Sequence, residues 1–406
     1  MQKMIQPSKL EAYFKLYYIW FFVFIFLIFH IPAVLNNQDN VNAYLLFTQA
    51  IINGQLNLPP IEGYHFLDLI HFEDKYYLPY PPFPSIFLLP SAVVFGVENT
   101  NPVLICVLLT CFNFFIFRSL LRRMQIDSIY HLWMILAFFL GTGYWYVLIT
   151  SHHVYGFAHI SCITMILLGM HELFGKKRGW IIGLCLGTAF LSRQMSVFTG
   201  FLFLYLLIED ELKKDKKNFL NISGFLLTAF ACLGLYFWYN YARFGDFMET
   251  GYKYIAYIGP MKERVDAFGV FNIKYFFFNL YTMFIKGHNI IFEGNTLLEI
   301  KGIDLFGTSI LNASPFVLFA FRTNLKKGFL ISAVVSILAI LTGLLLYHNN
   351  GYHQVNTNRF ALDFMPILFL LIINSLKNIP FWLVRSTILY AVGLNIFSFV
   401  IHMLYQ

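Results

Sequence analysis

Residues 179–208 read GWIIGLCLGTAFLSRQMSVFTGFLFLYLLI, an apolar run of 30 residues that contains one charged side chain, Arg193. Basic clusters flank the run on both sides, at 176–178 and 213–217. Because Lys and Arg concentrate in the short cytoplasmic loops of membrane proteins, both ends of the run are predicted to face the cytoplasm. The run must then turn back on itself as a hairpin, with Arg193 near its tip.

The length of this hairpin predicts the depth of Arg193. Each leg has about 15 residues and reaches roughly 22 Å at 1.5 Å per residue, less than the ~30 Å hydrocarbon thickness of a bilayer. Arg193 is therefore expected within the outer leaflet, where an arginine is costly unless it faces a wet cavity or an anion. A guanidinium fork suits a lipid phosphate. The alternative is an ion pair with a carboxylate of an outer loop.

The rest of the chain has the composition of a polytopic membrane protein. Of its 406 residues 58% are hydrophobic and only 12% are charged, and apolar runs recur from end to end. The predicted fold is an all-α membrane protein that forms one transmembrane domain over residues 1–406. The eleven candidate spans are 14–35, 102–121, 129–149, 154–174, 179–192, 195–208, 218–241, 305–321, 328–347, 361–376 and 381–403.

The charge distribution orients these spans in a cell membrane. With the N-terminus inside, 18 of the 28 Lys and Arg residues fall on the cytoplasmic side, as the positive-inside rule requires. Two large outer loops result, at 36–101 and 242–304, and the short apolar stretch 85–96 is predicted to be an interfacial helix. The net charge of +7 does not indicate a nucleic-acid partner, because the basic residues form short clusters between spans.

The first outer loop begins with an acidic residue, Asp39, directly beyond the first span. A carboxylate at the membrane–water boundary is placed to act as a general base. Residues 41–52 then have an amphipathic helical pattern that ends at Gly54. Asp39 or Asn40 is therefore also an N-cap candidate, because Asp and Asn both cap helices well. The two roles are compatible, since a cap fixes the position of a carboxylate.

Residues 68–84 of the same loop are rich in tyrosine and proline. Aromatic rings beside prolines form a surface on which a sugar ring or an isoprenoid chain can lie, and Lys75 is placed to meet a phosphate. The alternatives are a rigid turn that only starts the interfacial helix, and an ion pair of Lys75 with Glu73 or Asp74. The candidate substrate-binding residues of this loop are Asn40, Tyr76, Tyr77 and Tyr80.

Two further segments between spans carry candidate site residues. Arg359 is a second candidate phosphate ligand, and its alternative role is an ion pair with Asp363, four residues further on. His152 and His153 are adjacent, between the third and fourth spans, and are predicted to hydrogen-bond to a sugar or a phosphate. A metal site is not predicted there, because no carboxylate or cysteine stands at a metal-binding spacing.

In their order along the chain, these residues resemble the motifs of the GT-C superfamily of membrane glycosyltransferases that use polyprenyl-phosphate sugars. The resemblance is to bacterial relatives of the protein O-mannosyltransferases and of the lipid A aminoarabinose transferase. The chain departs from their pattern at Asn40, where many have Glu, and at Tyr80, where many have Lys or His; Lys75 is the predicted substitute. The matching residues are Asp39, Tyr44, Ile52 and Gly54, then Tyr76, Tyr77, Pro81 and Pro82, then Ser151 and His152, Leu191 and Arg193, and Asn358, Arg359, Phe360 and Pro366.

The resemblance implies an inverting glycosyltransferase with its active site on the extracytoplasmic side of a plasma or inner membrane. Asp39 would act as general base, and Arg193, Arg359 and Lys75 would hold the phosphate of a polyprenyl-phosphate sugar. The acceptor would be linked to a lipid or a glycan, and neither a metal nor another cofactor is expected. Two alternatives remain: a lipid-linked sugar flippase or transporter, which needs no base, and an O-antigen polymerase or ligase, which uses diphosphate donors.

Overall fold

The computed structural model describes residues 42–59, 69–214, 219–349, 352 and 354–405. The first predicted span, Asp39 and Asn40 lie outside the described residues. Over the described part the chain is mostly helical. In chain order its α-helices are α1 (Ala43–Ile52), α2 (Pro84–Phe95), α3 (Pro102–Arg123), α4 (His131–Phe139), α5 (Tyr144–Ile149), α6 (Val154–Leu173), α7 (Gly179–Phe190), α8 (Gly200–Leu212), α9 (Leu220–Phe244), α10 (Gly259–Phe268), α11 (Phe276–Leu280), α12 (Ile310–Ala313), α13 (Lys327–Leu346), α14 (Met365–Ser375) and α15 (Phe381–Leu404).

Short helical turns and small strands connect these helices. The strands form an antiparallel pair β1 (Ile70–Phe72) with β2 (Lys75–Tyr77), an antiparallel pair β3 (Ile290–Glu293) with β4 (Glu299–Ile303), and a parallel pair β5 (Phe306–Thr308) with β6 (Gln354–Thr357). A π-helical turn covers Tyr281–Ile285. The 3₁₀ turns are Ser128–Tyr130, Gln194–Thr199, Tyr252–Tyr254, Ile273–Tyr275, Pro315–Arg322, Arg359–Asp363 and Leu376–Asn378.

Five described helices are long and apolar enough to cross a membrane: α3, α6, α9, α13 and α15. Shorter helices occupy the predicted spans 129–149, 179–192, 195–208 and 361–376. The candidate span 305–321 is not one helix, because it starts as strand β5 and continues through α12 into a 3₁₀ turn that begins at Pro315. The protein is thus a multi-pass membrane protein built mostly from helices.

The predicted span 129–149 is interrupted between α4 and α5, at Leu140 to Gly143. Backbone groups freed by such a break must find partners inside the protein when the surroundings are apolar. Asn395 Nδ2 of α15 donates to Leu140 O at 2.6 Å, and Ser314 Oγ donates to Gly141 O at 2.5 Å. These two side chains stabilise the unwound segment, which leads into the Ser151 to His153 corner.

The run 179–208 forms two helical legs that meet at Arg193. Helix α7 packs against α9 along a row of glycines four residues apart, Gly179, Gly183 and Gly187. A Cβ added at Gly179 or Gly183 would overlap the carbonyl oxygen of Asn221 or Phe225 on the facing segment. Small residues at this spacing let two helix backbones approach closely in a membrane. This packing supports the leg that ends at Arg193.

The first outer loop contains the predicted amphipathic helix, but its cap differs from the prediction. The N-cap of α1 is Asn42, whose side chain accepts a hydrogen bond from Tyr44 N at 2.8 Å. The expectation that Asp39 or Asn40 caps this helix is therefore wrong. The predicted interfacial helix corresponds to α2, which begins with Pro84, where the missing N–H of proline costs no helical hydrogen bond.

Candidate active site

Three segments that are far apart in the sequence meet around one buried carboxylate, Asp363. Arg193, at the junction of α7 and α8, donates from Nε and Nη2 to the two oxygens of Asp363 at 2.5 and 2.8 Å. The side chain of Asp363 is 1% exposed and that of Arg193 is 17% exposed. This bidentate geometry is the strong form of an arginine–carboxylate pair. Arg193 therefore forms an ion pair with a carboxylate, but this carboxylate belongs to the predicted span 361–376 and not to an outer loop, as the alternative had it.

Arg359 lies four residues before Asp363 but does not share its carboxylate. Its guanidinium carbon lies 3.7 Å from the centre of the Tyr155 ring, and Nη2 donates to Tyr352 O at 3.2 Å. Nε and Nη1 make no hydrogen bond to any described residue, although Arg359 is only 5% exposed. Burial lowers the pKa of Arg359, and Tyr155 beside it partly offsets this. An arginine nevertheless stays protonated, so the site holds a buried positive charge that needs an anion.

The two arginines lie against the same aromatic ring. The guanidinium carbon of Arg193 is 5.3 Å from the centre of the Phe360 ring, and that of Arg359 is 5.5 Å from it. The two guanidinium carbons are therefore no more than about 11 Å apart. A phosphate group that accepts charge-assisted hydrogen bonds of about 2.8 Å on two sides can bridge such a separation.

A histidine that the sequence analysis did not select faces the same carboxylate. His159 of α6 has a side chain 1% exposed, and its Nδ1 lies 3.6 Å from Asp363 Oδ1. Neither ring nitrogen has a hydrogen-bond partner among the described residues. The signal that was available is a titratable residue inside a predicted span, which is uncommon without a function. Within the described ranges, no group of three or more His, Cys, Asp or Glu side chains is placed to hold a metal ion.

Two buried phenols lie on α1 and α9, and one of them, Tyr44, is close enough to Arg193 to interact with it electrostatically. Tyr44, on the first turn of α1, is fully buried, and its hydroxyl has no hydrogen-bond partner among the described residues. The hydroxyl of Tyr239 on α9 is also buried and also has no hydrogen-bond partner among the described residues. Burial and the neighbouring Tyr252 raise the pKa of Tyr44 well above its ordinary value, while Arg193 acts in the opposite direction. These phenols are therefore neutral hydroxyls able to hydrogen-bond a polar ligand.

The Ser151 to His153 corner joins the start of α1 to the Arg359 site. Asn42 Nδ2 donates to His152 O at 2.9 Å and to Ser151 O at 3.2 Å. The rings of His152 and His153 are 4.0 Å apart, and His153 stacks on Tyr155 at 5.2 Å. Because the Tyr155 ring also lies under the guanidinium of Arg359, it links the two predicted histidines to the buried cation.

The predicted residues of the tyrosine- and proline-rich segment divide between the site and the hairpin β1–β2. Tyr80 lies close enough to Arg359 to raise the pKa of that arginine slightly. Tyr77 packs on Phe244 with ring centres 5.6 Å apart, and Tyr76 packs on His71 of the opposite strand at 5.0 Å. Tyr76 therefore packs within the hairpin, whereas Tyr77 packs the hairpin against α9.

Lys75 lies at the start of β2, directly after Glu73 and Asp74, which have φ angles of 48° and 58°. Two successive residues with positive φ are typical of a tight hairpin turn. Lys75 is exposed and forms no ion pair within the part of the chain that the structure describes, with its two acidic neighbours or with any other carboxylate. Lys75 is thus an exposed residue beside the turn of the hairpin, and its role as a phosphate ligand stays a prediction.

Comparisons with known proteins place these residues in context. Residues 77–263 match the model of glycosyltransferase family 87, a segment that contains Tyr77, Tyr80, His152, His153 and Arg193. Among solved structures, the chain is similar to the crystal structure of ArnT from Cupriavidus metallidurans bound to undecaprenyl phosphate. The identity is 13%, the match covers 88% of this chain and 60% of that chain, and the TM-score is 0.48. This chain thus spans about 60% of the length of that relative.

No curated protein matches the chain in sequence. The family match extends over both α7 and α9 and over the His152–His153 corner, so it covers much of the region that surrounds Arg193. It confirms, for the central part of the chain, the resemblance to a glycosyltransferase that the sequence motifs predicted.

Proposed function

We propose that this protein is an inverting glycosyltransferase that moves a sugar from a polyprenyl-phosphate donor to an acceptor hydroxyl. The observation that carries the proposal is the buried guanidinium of Arg359, two of whose nitrogens make no hydrogen bond to the described residues. A cation in such surroundings needs an anion, and a phosphate attached to an isoprenoid chain is an anion that reaches a site within a membrane protein. The match to glycosyltransferase family 87 supports glycosyl transfer as the reaction.

The proposed reaction is a single displacement. The oxygen of the acceptor hydroxyl attacks the anomeric carbon from the side opposite the phosphate, and Asp39 takes the hydroxyl proton. The bond between the anomeric carbon and the phosphate oxygen breaks, and that oxygen keeps the electron pair. The products are a glycoside of inverted configuration and a polyprenyl phosphate. Arg359, with help from Arg193 and Lys75, stabilises the charge that develops on the leaving phosphate.

The attachment of α1 supports a role for Asp39 in this reaction. Asp39 precedes Asn42 by three residues, and three residues of extended chain span at most about 11 Å. Asn42 is itself hydrogen-bonded to the backbone of Ser151 and His152. The carboxylate of Asp39 therefore has the corner beside Tyr155 and Arg359 within reach. In this proposal Asn40, Tyr76, Tyr77, Tyr80, His152 and His153 contact the sugar or the isoprenoid chain.

The proposal places the reaction at the extracytoplasmic face of a plasma or inner membrane. It retains one transmembrane domain over residues 1–406, eleven spans with the N-terminus inside, and outer loops at 36–101 and 242–304. The partition of Lys and Arg between the two sides supports this orientation. The proposed acceptor is a hydroxyl of a lipid-linked or glycan-linked molecule.

A binding experiment tests the observation that carries the proposal. The purified protein in lipid nanodiscs is titrated with undecaprenyl phosphate, and binding is followed by native mass spectrometry. We expect Arg359→Ala to weaken binding at least about tenfold, and Arg359→Lys to weaken it less, because lysine retains the charge without the fork. The control is Arg385→Ala. Arg385 lies in the first turns of α15, where its guanidinium is stacked over Trp133 of α4. Equal binding by wild type and Arg359→Ala contradicts the proposal.

Mass spectrometry of membrane lipids and envelope glycans, from cells with and without the protein, tests the reaction itself. A glycan or lipid that lacks one sugar when the protein is absent is the expected result. Unchanged sugars together with donor that accumulates in one leaflet favour the flippase instead. Accumulation of a diphosphate-linked sugar favours the polymerase or ligase.

A further inference from the structure

We infer that the end of α3 that carries Arg118 and Arg122 binds an acidic phospholipid of the surrounding membrane. The two arginines hold the phosphate of the lipid headgroup, and an apolar stripe on the same face of α3 lies along an acyl chain. This site is separate from the candidate active site. It is a binding site for a membrane lipid that is not a substrate, and it does not depend on the proposed function.

The two arginines lie at the end of the helix bundle opposite the candidate active site. Arg123, directly after Arg122, donates from Nη1 to the carbonyl oxygen of His171 in the last turn of α6. The basic cluster at 176–178 then connects α6 to the start of α7. Arg193 follows the other end of α7, a helix of 12 residues that is therefore about 18 Å long. A phosphate beside Arg122 is thus distant from the arginines of the active site.

Arg118 and Arg122 form no ion pair within the part of the chain that the structure describes, although they are close enough to interact with each other electrostatically. Other basic residues at this end of the bundle each pair with a carboxylate. These pairs are Arg178 with Glu172, Lys177 with Asp210, Lys213 with Glu209 and Lys214 with Glu211. The charges of Arg118 and Arg122 are therefore not compensated by the described residues.

The connection between α3 and α4 contributes little negative charge. Residues 118–131 contain three arginines but one carboxylate, Asp127. Asp127 is exposed, and its Oδ1 accepts a hydrogen bond from Ile129 N at 3.1 Å. His131 at the start of α4 is close enough to Arg118 and to Asp127 to interact with both. The end of α3 therefore has a net positive charge.

The depth of Arg118 places it where a lipid phosphate lies. Helix α3 has 22 residues and is about 33 Å long, slightly more than the ~30 Å hydrocarbon thickness of a bilayer. Arg122 lies in its last turn, and Arg118 lies one turn, about 6 Å, deeper. Arg118 is half-buried, and its Nε makes no hydrogen bond to any described residue. A cation at this depth is costly without an anion.

An apolar stripe on the surface of α3 leads to the two arginines. Side chains three, four or seven residues apart lie on one face of a helix. Arg118 and Arg122 follow Phe115 by three and seven residues, so they continue its face. The exposed large apolar side chains of this face are Leu104, Leu108, Phe112 and Phe115. A phospholipid whose acyl chain lies along this stripe has its phosphate beside the arginines.

The charge of the headgroup decides which phospholipid is favoured. A guanidinium fork makes strong charge-assisted hydrogen bonds to a phosphate of any phospholipid. The headgroup of phosphatidylcholine also carries a cation, which the two arginines repel, whereas the headgroup of phosphatidylglycerol does not. Basic sites between helices on the cytoplasmic side of membrane proteins bind acidic headgroups for this reason.

Native mass spectrometry tests the site with the full-length protein. The protein is released from nanodiscs that contain phosphatidylglycerol and phosphatidylcholine in equal amounts, and the first lipid that stays bound is identified. We expect wild type to retain phosphatidylglycerol in excess. We expect Arg118→Gln/Arg122→Gln to lower the ratio of retained phosphatidylglycerol to phosphatidylcholine at least about fivefold, since each arginine near an anionic headgroup contributes to its binding.

The matched control is Arg322→Gln. Arg322 ends the 3₁₀ turn Pro315–Arg322, is exposed and forms no ion pair within the described ranges. It has the same charge but does not lie on α3, so we expect Arg322→Gln to retain the wild-type ratio. If the double variant does not fold, Arg122→Gln replaces it. Arg122 is exposed, and we expect this single change to lower the ratio at least about twofold.

Two outcomes overturn the inference. The first is an equal ratio in wild type, in Arg122→Gln and in the double variant. The arginines are then available to a carboxylate outside the described residues, such as Glu11. The second is displacement of phosphatidylglycerol by excess inorganic phosphate, which would show that the arginines bind free phosphate and not a lipid. Because no polyprenyl phosphate is used, neither outcome affects the proposed function.

Discussion

Arg193 and Arg359 are the same residue type within about 11 Å of each other, yet their surroundings give them different roles. Arg193 places two of its three side-chain nitrogens on a carboxylate, whereas Arg359 has an aromatic ring and one backbone carbonyl. Phosphate binding depends on the donors that remain available, not on the presence of an arginine. We therefore propose Arg359 as the primary phosphate ligand, whereas two nitrogens of Arg193 are bound to Asp363.

The pairing of Arg193 predicts a loss of stability when either partner is removed alone. Breaking a buried ion pair by removing one partner typically costs about 3–5 kcal/mol, whereas replacing both by apolar residues is often neutral. We expect Arg193→Ala to lower the unfolding temperature in detergent clearly, and Arg193→Met/Asp363→Leu to lower it much less. An unchanged unfolding temperature for Arg193→Ala would show that the pair contributes nothing to the fold.

Asp39 offers a residue-scale test of enzyme against carrier. Because Asn42 caps α1, Asp39→Asn leaves the cap of that helix in place and removes only a proton acceptor. A general base typically contributes 10²–10⁴-fold to the rate. We expect Asp39→Asn to bind a polyprenyl-phosphate donor like wild type and to transfer sugar at least about a hundredfold more slowly in a reconstituted assay. Transfer at the wild-type rate would remove Asp39 from the mechanism.

At the scale of elements, local sequence patterns predicted helices correctly, but they could not predict contacts between residues far apart in the sequence. Hydropathy and flanking charges predicted the two legs that meet at Arg193, since both signals are local. The pair of Arg193 with Asp363 joins positions 170 residues apart, and no local pattern contains it. The alternative pair of Arg359 with Asp363 is absent for a different reason: a spacing of four residues suggests a helical pair, but this segment is a 3₁₀ turn.

The cap of α1 and the segment 305–321 show two other limits. Asp39, Asn40 and Asn42 are all good capping residues, so composition alone could not choose among them. In 305–321 the apolar character is that of a span, but pairing with β6 and Pro315 interrupt the helix. Hydropathy indicates that a segment lies in apolar surroundings. It does not indicate whether the backbone N–H and C=O groups of that segment are paired in a helix or in a strand.

The close contact of α7 and α9 predicts different effects for two glycines. A Cβ at Gly183 would overlap Phe225 O, whereas a Cβ at Gly234 of α9 would meet nothing within 4 Å. We expect Gly183→Ala to destabilise the protein by about 1–3 kcal/mol through overpacking, and Gly234→Ala to be neutral or slightly stabilising, because alanine favours a helix over glycine. Thermal unfolding in detergent measures both. Equal stability of the two variants would contradict the helix contact.

A buried histidine at the end of α13 predicts a pH dependence of stability. Burial lowers the pKa of His348 to about 4, below its ordinary value of about 6.5. The unfolded chain therefore binds a proton that the folded protein excludes between about pH 6.5 and 4. Stability from this group is full above pH 6.5 and is lost as the pH falls toward 4, by up to about 3 kcal/mol.

The variant His348→Phe isolates this group, since phenylalanine keeps an aromatic ring between Tyr257 and Tyr347. We expect its unfolding temperature to fall less than that of wild type between pH 7 and 4.5. Parallel acid profiles for the two proteins would assign the pH dependence to other groups.

At the scale of the whole molecule, the charge distribution and the candidate site depend on each other. Arg193 lies at the end of α7 opposite the basic cluster at 176–178, so the side of the membrane assigned to that cluster decides the side of the site. If the cluster is cytoplasmic, the arginines, the phenols and the His152–His153 corner open toward the outer leaflet. A donor would then have to be presented from the extracytoplasmic side.

Labelling of single cysteines tests this orientation. In a variant whose five native cysteines are replaced by serine, we expect Gly63→Cys or Asn295→Cys to react with a membrane-impermeant maleimide added outside intact cells. Met124→Cys, Asp215→Cys and Leu325→Cys should react only after the membrane is permeabilised, because basic clusters retain these loops in the cytoplasm. Labelling of position 215 from outside would show that the hairpin has the opposite orientation in the membrane. Arg193, Asp363 and Arg359 would then face the cytoplasmic leaflet, and the acceptor would have to be sought on that side.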